Sequence, residues 1–160
     1  MIIFRFLFGV ILGYVAIALI KLVGMTVGVF GMGAERVFVG DSWQLSHLWN
    51  IFAITVSAIA AFFGGFVATW WGGRTLSGYG LAGVVLAFGL LTMVAIMNRE
   101  TPSNPPPRPI PMQLRDWGMT DQYATPPTWL LASAPIIGMV GVVVGTIYLG
   151  RRKSSSMVQR

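Results

Sequence analysis

The chain has 160 residues, of which 55% are hydrophobic and 10% charged, whereas soluble domains carry charge on about a quarter of theirs. Its mean hydropathy is +0.73. The formal net charge of +6 does not describe a nucleic-acid binder, because the basic residues are scattered apart from Arg151, Arg152 and Lys153 behind an apolar run. With no cysteine, disulfides, thiolate metal sites, iron–sulfur clusters and thiol catalysis are excluded.

Four apolar blocks follow in chain order, each near the roughly 20 residues that cross a hydrocarbon core. The first is IIFRFLFGVILGYVAIALI with a Gly-rich continuation, giving a span over residues 2–24. Arg5 and Ala16-Ile17-Ala18 also fit a signal peptide, but the block is read as a true span. The second span covers 46–71, the third 77–97 and the fourth 128–149. None alternates apolar with polar residues as a barrel strand would, and backbone groups in lipid need internal partners, so helices are expected. The fold class is therefore all-α: one polytopic membrane domain over 1–160, a four-helix bundle with a Pro-rich extramembrane loop at 98–127.

Local signals sharpen the boundaries. Asp41 and Gln44 have capping-box spacing and place the start of the second helix near Ser42. Gly72 and Gly73 end it, Ser77 is the expected cap of the third helix, and Thr125-Pro126 leads into the fourth. Pro135 removes one backbone bond inside the last span. Trp43, Trp49, Trp70, Trp71 and Trp129 fall near span ends, where the ring prefers the headgroup region, and the Arg151, Arg152, Lys153 cluster is a matching anchor. Basic residues are nearly balanced between the two sides. The density of that last cluster puts both termini in the cytoplasm, and the 98–127 loop then lies in the periplasm of a bacterial inner membrane.

Small residues recur at helical intervals. Ala53, Ser57, Ala61 and Gly65 form one stripe on the second helix, with Ala60, Gly64 and Ala68 beside it. Gly9 and Gly13 mark the first helix, and Gly138, Gly141 and Gly145 the fourth. Such stripes let backbones approach closely, which is what holds helices together in lipid. Two stripes on one helix exceed the needs of a minimal bundle, and the surplus points to outside partners.

Chemistry is sparse. His47 is the single histidine and the single candidate axial ligand to haem or chlorophyll; an interfacial ring beside Trp43 and Trp49 is the favoured reading, so no cofactor beyond lipid is expected. Lys21 is read as snorkelling to the headgroups. Mid-span acids, arginines and histidines of the kind that proton relays use are missing. The acids Glu35, Asp41, Glu100, Asp116 and Asp121 lie in connections without paired spacing, so an enzyme is not expected.

The stretch NPPPRPIPMQLRDW, Asn104 to Trp117, is unlike its oily surroundings. Consecutive prolines favour an extended polyproline path, and the connection is longer than adjacent helices require. Pro105, Pro106, Pro107, Arg108, Pro109, Pro111 and Trp117 are read as an arm that docks on a partner, with a flexible or self-packed loop as the competing reading. The pattern resembles small four-span bacterial membrane proteins. The leading expectation is a non-catalytic accessory subunit of a larger integral-membrane complex, such as a respiratory or photosynthetic electron-transfer assembly. Its partners would be other membrane subunits and lipids, with no nucleic acid and no soluble substrate. The alternative is a small oligomeric channel or transporter lined by Asn50, Thr55 and Ser57.

Overall fold

The computed structural model describes residues 2–99, 105–110, 112, 116 and 119–158, with the side chains of 2, 121 and 152–158 left out. Pro111 and Trp117 lie outside the described residues, as do the side chains of Arg152 and Lys153. Helix α1 spans Ile2–Met32, α2 Ala34–Val37, α3 His47–Gly72, α4 Thr75–Met97, α5 Thr120–Tyr123 and α6 Thr128–Val158. The four long helices α1, α3, α4 and α6 are each long and apolar enough to cross a membrane. The fold is an all-helical four-helix bundle, and the chain is an integral membrane protein.

Several helix ends differ from the sequence expectation. α1 stays helical through its Gly-rich continuation to Met32. Gly24 and Gly28 explain this, since they leave room for the side chains of Val56 and Phe52 on α3. α3 starts at His47 rather than near Ser42: Ser46 is its N-cap, and the Ser46 hydroxyl accepts from the Trp49 amide at 3.1 Å. At the other end Gly73 adopts φ 72°, the left-handed C-cap that a residue without Cβ takes at no cost. Ser77 does not cap α4, which starts at Thr75 after Arg74; it lies inside the helix, buried beside Gly72. α6 continues as one helix past Pro135, which is buried with its ring against Gly89 of α4.

Around the bundle the order is α1, α3, α6, α4, each touching the next, and α3 also meets α4 across the diagonal. α1 and α6, on the other diagonal, do not meet among the described residues. The α3–α4 diagonal contact is tightest near the turn joining them, where Thr69 approaches Gly78 and Ala68 packs with Leu81. We call this the turn end, and the opposite side the cap end.

α3 is the hub, and that settles the small-residue stripes. Its Gly64 and Ala68 face α1, where a Cβ on Gly13 would stand 2.8 Å from the Ala68 Cβ and one on Gly9 2.7 Å from the Ala68 carbonyl oxygen. Its Ala61 and Gly65 face α6: a Cβ on Gly141 would lie 2.8 Å from that of Ala61, and Gly65 abuts the Val142 backbone. Gly145 packs on the backbone of Phe62, and Gly138 against Val85 of α4. Both stripes of α3 are thus used inside the bundle, because one helix packs on two sides at once. Large apolar side chains instead line the outside, among them Phe4, Phe8, Leu19, Phe63, Leu91 and Val144, as a helix bundle in a bilayer requires.

Candidate functional site

Two features stand apart from helix packing: a folded cap over one end of the bundle, and a cleft beneath it.

The cap is built on Trp43. After α2 the chain forms a tight loop in which the Val39 amide donates to the Gln44 carbonyl at 2.9 Å, with Gly40 at φ 54°. This folds Trp43 inward to 4% exposure, edge-on to Phe38 at 5.8 Å between ring centroids and tilted against Tyr123 at 5.5 Å. The indole N–H then donates to the carbonyl of Pro106 at 2.8 Å, and the Trp43 carbonyl accepts from the Thr125 amide at 3.2 Å. One side chain therefore ties together the α1–α3 connection, the proline arm and the segment leading into α6. Indole is well suited to this, having a large apolar face and one donor that must find a partner when buried.

Arg108 adds a second tie. Its amide donates to the Asp41 carbonyl at 3.1 Å, its Nη2 donates to the Gly40 carbonyl at 2.6 Å, and its guanidinium sits 5.5 Å from the centroid of the Phe38 ring. The side chain is 5% exposed. A charged donor on a carbonyl makes a short, strong bond, and the ring face beneath offers further attraction to the cation. Proline supplies no N–H, so the arm can be anchored only through its carbonyls and its rare non-proline residues; Pro106 and Arg108 use both routes. Pro105, Pro106 and Pro107 remain exposed while Pro109 is half-buried. The arm thus lies on its own chain, the competing reading stated above, and shows its outer side together with Val39, Ile110 and Met119.

The tryptophans divide accordingly. Trp70, Trp71 and Trp129 are exposed near helix ends, as interfacial anchors would be. Trp43 and Trp49 are instead buried with Val37 and Phe38 in the cap's own hydrophobic cluster, because the loop fold gives them a protein environment in place of headgroups. His47 is exposed in the first turn of α3, and no group of three metal-ligating residues occurs among the described residues. Arg151 is exposed near the end of α6. Asn50 and Ser57, seven residues apart, share a face of α3, with Asn50 buried and Ser57 at the cleft, whereas Thr55 is exposed on another face and bonds back to the Ile51 carbonyl at 2.8 Å.

Below the cap the helices separate. A cavity of about 290 Å³ lies between α1, α3, α4 and α6, walled by Ile17, Ala61, Val85, Phe88, Pro135 and Gly138. Its polar groups are Tyr14 and Lys21 of α1, Ser57 of α3 and Thr92 of α4. Sequence reasoning placed Lys21 at a lipid interface but missed that it shares a cavity with four helices. The signal available was weak: a lone lysine within an apolar stretch, with Gly89 and Pro135 too far apart in sequence to be paired by inspection.

No protein-family model, curated protein or solved structure matches this chain.

Proposed function

We propose that the protein is a non-catalytic accessory subunit of a larger integral-membrane complex, which it joins through its ordered cap. The observation that carries this reading is the Trp43–Pro106 tie. It holds a polyproline segment in a fixed place with Pro105–Pro107 and Ile110 facing outward. A preorganised, partly apolar surface of this kind loses little entropy when a partner docks. The bundle below contributes close helix packing and an apolar outer surface for neighbouring helices or lipid. A bacterial respiratory or photosynthetic electron-transfer assembly in the inner membrane is the host we favour. Both termini are then cytoplasmic and the cap faces the periplasm, on the strength of the Arg151–Lys153 cluster.

The test is purification from the native membrane in mild detergent. The full chain should migrate with a large complex, and deletion of Asn104 to Pro111 should release it while the bundle remains folded. Migration as a small homo-oligomer with solute flux in liposomes would replace this reading by a channel. The placement of Thr55 on a different face of α3 from Asn50 and Ser57 weighs against that outcome.

A further inference from the structure

The cleft supports a ligand assignment that is independent of the accessory role. We infer that it binds one acyl chain of an anionic amphiphile, with the negatively charged head group at Lys21.

Shape comes first. The cavity of about 290 Å³ lies at the lower edge of the range of small-molecule sites, roughly 300–1,000 Å³. Its walls are predominantly aliphatic and aromatic, with Ile17, Ala61, Val85, Phe88, Leu131 and Pro135 prominent. Tyr14, Phe88 and Thr92 are among the lining residues that are exposed, so the space communicates with its surroundings in the bilayer. The contacts that keep it from collapsing are local: Tyr14 meets Phe88 with ring centroids 6.0 Å apart, and Pro135 bears on Gly89.

Charge comes second. Among the described residues, Lys21 is the one charged residue lining the cavity, and no acid lines it. A cation inside a membrane span calls for a partner, and Glu35 and Asp41 lie in the α1–α3 connection, outside the lining of the cavity. Thr92 shares the cavity with Lys21 and stands six residues before Asn98, about 9 Å along the helix from the end of α4. A lysine can cover much of that distance by extending its aliphatic stem along the wall. Extended toward the cap end in this way, the ammonium group would meet a charged head group while its stem lies beside the acyl chain. The Thr92 hydroxyl already bonds its own Phe88 carbonyl at 2.8 Å, leaving its acceptor lone pairs and the Tyr14 and Ser57 hydroxyls as the secondary polar contacts. A neutral lipid would satisfy the shape but not the charge.

Native mass spectrometry of the full-length delipidated protein, with phosphatidylglycerol, phosphatidylcholine or oleic acid added back, tests this. One anionic molecule should be retained per chain, with a preference over phosphatidylcholine of about fivefold, the order expected for one basic group near a charged head. Retention of phosphatidylglycerol identifies a phospholipid, and retention of oleic acid a free fatty acid; either outcome supports the site if Lys21→Gln abolishes the preference. Ala134→Leu narrows the cleft without altering its charge and should lower retention of both anionic ligands. It also carries the test should the Lys21 variant fail to fold. Equal retention of anionic and zwitterionic lipid, a preference that survives Lys21→Gln, or undiminished retention of the anionic ligands by Ala134→Leu overturns the assignment.

Discussion

At the turn end, α3 lies against its neighbours almost backbone to backbone, through Gly64, Gly65, Ala68 and Gly72, and nearly every contact there is van der Waals. At the cap end the chain uses aromatic rings, an arginine and main-chain hydrogen bonds between segments more than sixty residues apart. The difference follows from the solvent. In hydrocarbon, apolar burial gains little, so stability comes from close approach of helices. Outside it, water drives Trp43 and Phe38 together, and the polar atoms that become buried must be paired. The protein is one chain assembled by two different balances of forces, with the cleft at the junction.

If the cap and the bundle are separable in this way, substitutions should act on one and spare the other. Trp43→Ala should have the largest effect. It removes the ring on which three segments converge and should cost the cap about 3–5 kcal/mol. Hydrogen exchange should then accelerate at the Val39, Arg108 and Thr125 amides while α3 and α6 stay protected. Simultaneous loss of protection in both regions would show that they fold as one unit.

Gly65→Val comes next, because the added atoms meet the Val142 main chain, which cannot swing aside. A loss of about 3 kcal/mol, the upper part of the range for overpacking, is expected in detergent unfolding. Gly31→Val serves as its control, since a Cβ there meets nothing within 4 Å. Equal effects at the two positions would remove close packing as the explanation.

Arg108→Met should weaken the cap by about 2 kcal/mol through loss of the charged bond to the Gly40 carbonyl. Limited proteolysis of the proline arm is a suitable measure, and unchanged cleavage would mean that Pro106 alone holds it.

Thr69→Val should have the smallest effect, and with the opposite sign. The Thr69 hydroxyl is buried without a hydrogen-bond partner among the described residues, so replacing it with a methyl should be neutral or stabilise the bundle by up to about 1 kcal/mol. A marked loss in the unfolding midpoint would show that the hydroxyl bonds within the bundle.

Much of the fold was legible because each signal was local. The four apolar blocks are contiguous, Gly72-Gly73 marks the end of α3, and the exposed Trp70, Trp71 and Trp129 lie at helix ends. Less legible was the start of α3: the Asp41–Gln44 spacing pointed near Ser42, but the hydroxyl that caps the helix is that of Ser46, while the Asp41 carbonyl accepts from the Arg108 amide across the cap. The stripes on α3 were visible, but not that one meets α1 and the other α6, since a sequence does not tell how many neighbours a helix has.

Composition and periodicity by themselves determined that this is a four-span helical membrane protein with close-packing glycines, because lipid requires long apolar helices with internally satisfied backbones. Only the tertiary structure decided where those helices touch, that Trp43 and Trp49 turn inward, that the proline arm is fastened to the α1–α3 connection, and that Lys21 opens on a cleft. Each of those depends on atoms distant in the chain, and the energy that selects them exists only once the segments have met.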